Sequence, residues 1–153
     1  MDFPFKIYSD SVNKTEDIGF TLSSLIRDDS ELPHFIAMYG DLGVGKTAFV
    51  RGFCKSLCPG ATVKSPTFAL VNEYKCQENE QGIKKVCHFD MYRITDEDDL
   101  YSIGYDDYLC NSNVCIAEWC ELIPFALPEE RIEVKIEKTD IETERKITIK
   151  LVL

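Results

Sequence analysis

The sequence predicts an α/β fold with a mixed, mainly parallel central sheet, flanking helices and a C-terminal antiparallel hairpin. Three observations support this prediction. The apolar run "HFIAMY" at 34–39 leads into a glycine-rich turn and a helix, as expected of a buried parallel strand. A second apolar run, "NVCIAEW", occupies 113–119. Near the C-terminus, "RIEVKIEK" and "RKITIKLVL" alternate apolar and polar residues around "TDIET", which indicates a hairpin.

The N-terminal part of the chain predicts one edge strand and two helices. Residues 3–8 suggest a short edge strand. Residues 11–27 predict a helix, because Ser11 can cap its first turn and apolar residues recur at helical spacing. These apolar residues are Ile18, Leu22, Leu25 and Ile26. A second helix is expected over 46–57, and "CPG" at 58–60 ends it.

The middle of the chain predicts a hairpin followed by short helices. Strands are expected at 67–74 and 85–92, joined by a polar loop. One or two short helices are expected over 95–109, with Thr95 as the cap of the first. Four acids follow Thr95, where the helix dipole favours negative charge. They are Asp96, Glu97, Asp98 and Asp99.

Composition narrows the class of protein. The 153 residues, of which 44% are hydrophobic, suit a single domain over 1–153. No apolar run approaches the ~20 residues of a membrane span, and no signal peptide is evident, so we expect a cytoplasmic protein without a membrane partner. The seven cysteines include no C-x-x-C pair, which favours reduced, mostly buried thiols. The net charge of −10 argues against direct binding of nucleic acid.

The stretch "GDLGVGKT" at 40–47 fits the phosphate-loop pattern G-x-x-x-x-G-K-[ST]. Its position between a strand and a helix is the context that this motif requires. The glycines allow backbone N–H groups to approach phosphate oxygens, and the helix N-terminus adds positive charge. Lys46 is expected to reach the β- and γ-phosphates, and the Thr47 hydroxyl to bind Mg²⁺. The sequence therefore predicts a P-loop NTPase-like three-layer sandwich.

Two acids at the ends of apolar strands are candidates for binding magnesium or orienting water beside the loop. Asp90 ends "VCHFD" and Glu118 ends "VCIAE", and strand carboxyl ends face the nucleotide in this type of sheet. His88, inside the first of these strands, is interpreted as a plain strand residue. Thr67 follows a stiff Ser-Pro turn, where its hydroxyl is either a γ-phosphate sensor or part of a strand-initiating turn.

Two nucleotide-dependent classes are disfavoured by missing patterns. A Ras-like GTPase needs D-x-x-G and a late N-K-x-D, but Asp90 is followed by "MYR", and the nearest N-K-x-D match lies at 13–16, before the loop. A small-molecule kinase usually has an arginine-rich lid, yet residues 95–130 contain no Lys or Arg. This weakens the kinase hypothesis without removing it.

Four segments resemble one known family when taken together. They are "GDLGVGKTAFVRGF", "KSPTFALVNEY", "HFDMYRITDEDDLYSIGYDDYL" and "IAEW". In this order and spacing they resemble the TsaE (YjeE) family, the small bacterial ATPase of the tRNA threonylcarbamoyladenosine pathway. The upstream pattern Ser11-x₃-Thr15-x₃-Gly19 is also similar to that family.

The resemblance implies roles for particular residues. ATP and Mg²⁺ would bind at the loop, with Thr47 and Glu118 on the metal side and Asp90 as the Walker-B-like acid. Thr67 would belong to a switch-like segment, and Trp119 would be functionally sensitive. The nucleotide-binding set would comprise Ser11, Thr15, Asp41, Leu42, Gly43, Val44, Gly45, Lys46, Thr47, Thr67, Trp119 and Arg145, with Lys46, Asp90 and Thr67 taken as catalytic.

The resemblance also implies a function and partners. Family members are weak ATPases that act with TsaB and TsaD in forming t⁶A at position 37 of tRNA, and tRNA would be reached only through those partners. Two alternatives remain from the residues themselves: a small-molecule or nucleoside kinase, and a nucleotide-dependent adaptor that does not hydrolyse ATP.

Overall fold

A single seven-stranded sheet runs through the computed structural model, which describes residues 3–66 and 69–153. The strands are β1 (Phe5–Ser9), β2 (Phe35–Tyr39), β3 (Val71–Lys75), β4 (Lys85–Asp90), β5 (Asn113–Glu118), β6 (Arg131–Lys138) and β7 (Arg145–Val152). The helices are α1 (Val12–Asp28), α2 (Lys46–Leu57), α3 (Glu97–Ser102) and α4 (Tyr105–Cys110). Short 3₁₀ turns lie at Cys120–Leu122 and Pro124–Ala126.

The sheet order is β1-β7-β6-β2-β5-β4-β3. The central strands β6, β2, β5 and β4 are parallel to one another. The antiparallel pairs lie toward the edges, where β3 pairs with β4, β7 with β6, and β1 with β7. The predicted mixed sheet, its edge strand β1 and its C-terminal hairpin are therefore confirmed.

Apolar side chains cover both faces of the sheet and make the molecule three layers thick. On one face, Ile36 and Met38 of β2 belong to a core that includes Phe49 and Phe53 of α2. On the other face, Phe35 belongs to a core with buried residues of α3 and α4. Because successive side chains of a strand point to opposite faces, the continuous apolar run of β2 serves both cores. The three-layer prediction is confirmed.

Two local predictions are wrong. Of the strand expected over 67–74, residues 67 and 68 lie outside the described residues, and among the rest the strand begins only at Val71, because Leu70 adopts a left-handed backbone with φ of 63° that interrupts extended structure. Helix α3 is capped by Asp96, whose side chain accepts from the N–H of Asp99. Thr95 instead donates its N–H and hydroxyl to the Asp99 carboxylate. Adjacent Thr and Asp are both competent caps, and here Asp96 takes the position.

The cysteines are all free thiols, and five of the seven are buried. This confirms the prediction of reduced, mostly buried cysteines. Within the described ranges, none of the helices combines the length and apolar character needed to cross a membrane.

Candidate functional site

The glycine loop connects the end of β2 to the first turn of α2. Gly43 and Gly45 have φ values of 81° and 113°, a left-handed conformation that glycine adopts without a Cβ penalty. Gly40 also has a positive φ, and a Cβ there would in addition lie 2.7 Å from the Ile136 carbonyl oxygen. The first N–H groups of α2 have no intrahelical acceptor, so the loop can present them to an anion.

The site lies where three neighbouring parallel strands end. Strand β5 lies between β2 and β4, with Glu118 opposite Met38 on one side and opposite Asp90 on the other. The loop begins directly after β2, so two carboxylates and the loop share one edge of the sheet. This is the edge where ligands bind in open α/β sheets.

Lys46 reaches from α2 into this edge. Its ammonium donates to the Gly40 carbonyl over 2.8 Å and lies 3.6 Å from Oε1 of Glu118. The same nitrogen lies 4.7 Å from the ring centroid of Trp119, a cation–π distance. Only 7% of Lys46 is exposed, so a buried positive charge is held at the mouth of the loop.

Glu118 supplies the negative charge that pairs with Lys46. Burial penalises its charged form, but the hydrogen bond from His88 and the charge of Lys46 favour that form more strongly. The pKa of the Glu118 carboxyl therefore lies below its usual value of 4.5. The carboxylate is ionised at neutral pH, as a metal-binding or charge-pairing role requires.

Asp90 is buried at the end of β4. Its Oδ1 accepts the N–H of Tyr92 over 3.0 Å, and its own N–H donates to the Leu70 carbonyl. The bond to Leu70 joins the end of β4 to the segment that precedes β3, whereas the bond from Tyr92 closes the turn that follows β4. Asp90 makes no ion pair among the described residues, so it differs from Glu118 in having no fixed counter-charge.

His88 was missed as a site residue by sequence reasoning. Its side chain is fully buried, and Nε2 lies 2.5 Å from Oε2 of Glu118. The signal available in the sequence was the spacing of two residues between His88 and Asp90, which puts both side chains on one face of β4.

Trp119 adopts a left-handed backbone with φ of 62°. Such a conformation costs a bulky residue about 1–3 kcal/mol and is found mainly where surrounding contacts enforce it. Here the ring lies over Lys46 and packs against Tyr92, with ring centroids 5.2 Å apart. The strained residue therefore forms one wall beside the buried Lys46–Glu118 pair.

An open cleft of about 540 Å³ adjoins the glycine loop. Its walls include Ser11 and Thr15 of the α1 entry, Val44 and Gly45 of the loop, and Arg145 of β7. Gly43 also lines the cleft, so six of the residues proposed to contact the nucleotide share this one surface. Asp41, Leu42 and Gly43 lie at the exposed tip of the loop.

Polar atoms in this cleft already hold the surrounding segments together. The Ser11 side chain accepts from the N–H of Lys14, and the Thr15 hydroxyl lies 2.7 Å from that of Ser9. Arg145 donates Nε to the Val44 carbonyl over 3.0 Å and so joins the C-terminal hairpin to the loop. A contact between Arg145 and a base stays a prediction.

The oxygen donors beside the loop fit a hard divalent cation such as Mg²⁺. Thr47 is the second residue of α2, and the ionised Glu118 faces the loop. In the described part of the chain, no group of three or more His, Cys, Asp or Glu could hold a metal ion. Mg²⁺ is commonly held by one or two protein oxygens together with substrate phosphates, and this sparse donor set suits that mode. Thr67 lies outside the described residues.

Taken together, the strand–loop–helix unit and the acids at the neighbouring strand ends define a P-loop protein built to bind a nucleotide. Residues 9–147 match the family described as "Threonylcarbamoyl adenosine biosynthesis protein TsaE". The chain belongs to this family, as the sequence resemblance indicated.

Relatives in several bacteria carry the description "tRNA threonylcarbamoyladenosine biosynthesis protein TsaE". The protein of Bacillus subtilis (strain 168) is 38% identical over 113 residues, which cover 74% of this chain and 66% of the relative. The Haemophilus influenzae protein is 38% identical over 116 residues, covering 76% and 70%. The Treponema pallidum protein is 28% identical over 141 residues, covering 92% and 96%. The match thus spans about two thirds of the Bacillus relative.

A solved structure has the same fold. "Crystal structure of Bacillus subtilus YdiB" superposes with a TM-score of 0.74 and 27% sequence identity, covering 100% of this chain and 88% of that one.

Proposed function

We propose that this protein is a Mg²⁺-dependent ATPase that hydrolyses ATP to ADP and phosphate in support of t⁶A modification of tRNA. The observation that carries the proposal is that Glu118 and Asp90, at the carboxyl ends of adjacent strands, lie beside the phosphate loop, where Lys46 at the start of α2 pairs with Glu118. The pathway is supported by the family and by the descriptions of the relatives.

In this proposal the chain's own residues position and neutralise the phosphates. The N–H groups at the start of α2 bind phosphate oxygens, and Lys46 moves from Glu118 toward the β- and γ-phosphates. Thr47 and Glu118 would hold the metal, and Asp90 would orient the attacking water or the metal's water shell. When bound, Mg²⁺ supplies charge neutralisation for the phosphates. The segment around Thr67 senses the γ-phosphate.

The cleft beside the loop is proposed to hold the nucleoside part of ATP. Ser11, Thr15 and Arg145, which all line this cleft, would border the adenine. Trp119 would lie beside the phosphates and not beside the adenine, because its ring contacts Lys46. Residues 1–153 are proposed to form one ATPase domain, which agrees with the continuous seven-stranded sheet.

The proposed partner is the TsaB–TsaD complex in the cytoplasm, with tRNA held by that complex. The net charge of −10 supports binding of the tRNA by the partner complex, since a chain of this charge is poorly suited to bind phosphate backbones alone. Capture of purified TsaB and TsaD by this protein, compared with ATP and with ADP, tests the partner. Absence of capture with either nucleotide would contradict the partner and leave the ATPase proposal standing.

Three purified proteins test the reaction. Lys46→Ala should abolish ATP binding, because it removes the buried cation at the loop. Asp90→Asn should bind ATP within a few-fold of wild type but lose roughly 10²–10³-fold in turnover, typical for the loss of one transition-state contact. Asp107→Asn, at an exposed acid of α4, is the matched control and should hydrolyse ATP normally. Normal turnover by Asp90→Asn would contradict the role of Asp90.

The same assay separates the alternative functions. Labelled phosphate should appear as free phosphate. Its appearance on a nucleoside or other small molecule would instead identify a kinase, and partner capture that depends on ATP but not on turnover would identify an adaptor.

A further inference from the structure

His88 and Glu118 are held together by the register of two parallel strands. His88 of β4 lies opposite Ile116 of β5, and Asp90 lies opposite Glu118. Because alternate residues of a strand share a face, His88, Asp90 and Glu118 all project to the same side of the sheet. His88 and Glu118 are then diagonal neighbours, a separation that long side chains can bridge.

The hydrogen bonding of His88 is directed at one acceptor. Nε2 contacts Oε2 of Glu118, whereas the buried Nδ1 has no hydrogen-bond partner among the described residues. A buried polar nitrogen without a partner is unfavourable, and the strand neighbours Val86 and Ile116 belong to the apolar core of this face. Core packing alone therefore does not explain an imidazole at this position.

We propose that His88 is a positioning residue for Glu118, a role that rests on the proposed function of the site. Nε2–H of His88 donates to Oε2 of Glu118 and fixes the carboxylate's rotation. The other oxygen, Oε1, is thereby directed at Lys46 and the glycine loop, where it lies 3.6 Å from the ammonium. Outer partners of this kind commonly orient the groups that hold a metal.

Two substitutions separate positioning from general packing. His88→Gln keeps an amide N–H donor near the position of Nε2, whereas His88→Met has a similar length but no donor. Thermal unfolding first establishes that both variants are folded. Trp119 is the only tryptophan of the chain, and it lies beside both Lys46 and Glu118, so its fluorescence reports on the site without any nucleotide.

The proposal predicts different results for the two variants. In nucleotide-free protein, His88→Met should change the emission maximum of Trp119, and His88→Gln should leave it close to wild type. By calorimetry with ADP in EDTA, both variants should bind within about two-fold of wild type, since neither change touches the loop N–H groups. With MgCl₂ and ATP, His88→Met should lose roughly 10–100-fold in metal-dependent affinity or turnover, and His88→Gln should recover most of it.

The outcomes distinguish this proposal from the proposed function. Wild-type fluorescence and wild-type magnesium dependence in His88→Met would overturn the role of His88, as would equal losses in the Met and Gln variants. A wild-type protein that does not hydrolyse ATP would contradict the ATPase function. The fluorescence comparison would still decide whether His88 positions Glu118.

Discussion

The contact between α1 and α2 allows a strong prediction for Gly52→Ala. A Cβ on Gly52 would lie 1.9 Å from the carbonyl oxygen of Glu16 and 2.5 Å from its Cα. Both are backbone atoms of α1, so no flexible side chain can move aside. The two helices must separate instead, and they carry much of the core on this face, including Phe49 and Phe53.

The loss in unfolding free energy can be estimated from the 1.9 Å between the added Cβ and the Glu16 carbonyl oxygen. A relaxed carbon contact is about 3.5 Å, so the helices must part locally by roughly 1.5 Å. Overpacking of this kind costs up to about 3 kcal/mol or more, whereas Gly→Ala inside a helix gains about 1 kcal/mol. The net loss in unfolding free energy is expected to be about 2 kcal/mol or more, which lowers the Tm of a chain of this size by about 4–8 °C.

Thermal and urea unfolding measure this loss directly. Thr21→Ala is the matched control, because Thr21 is exposed on α1 and its replacement gains helix propensity without a clash. It should leave Tm within about 2 °C of wild type. Lys46 begins α2, so Gly52→Ala should also weaken ADP binding. An unchanged or raised Tm for Gly52→Ala would refute the claim that the helix backbones are in close contact here.

Three further predictions concern other parts of the molecule. Phe89→Ala should lower the free energy of unfolding in urea by about 3–5 kcal/mol. The reason is that Phe89 is fully buried, with its ring centroid 5.8 Å from that of Tyr105 and 5.3 Å from that of Tyr108. A loss near zero would contradict this packing. Asp96→Ala removes the α3 cap and should cost about 1 kcal/mol, and Asp96→Asn should restore most of it. Glu118 has a lowered pKa in the folded protein, so its stabilisation is present above its unfolded pKa near 4.5 and is lost as pH falls through the lower folded pKa. The difference in urea midpoint between wild type and Glu118→Gln should narrow over that range, and a constant difference would count against the shift.

Much of the site could be predicted because its signals are local. The phosphate loop is a short continuous pattern, and Asp90 and Glu118 each end an apolar run that predicts a buried strand. Parallel strands bring their carboxyl ends to one edge, so the sequence alone predicts both acids beside the loop.

The contacts that depend on pairing between distant segments could not be predicted in the same way. Arg145 holds the carbonyl of Val44, a residue 101 positions away, and this contact requires the C-terminal hairpin to lie against the loop. His88 approaches Glu118 only in the observed register of β4 and β5. A shift of one residue would send the histidine to the opposite face.

The strand order explains why the two acids have different surroundings. Strand β5 lies between β2 and β4, so Glu118 is adjacent to the loop that follows β2 and can pair with Lys46. On its other side it receives the hydrogen bond from His88 of β4. Asp90 is one strand farther from the loop and forms no ion pair with any of the residues that the structure describes, which supports the proposal that its carboxylate acts on a ligand in the site. The different roles proposed for the two acids therefore follow from their positions in the sheet, which chain order alone does not reveal.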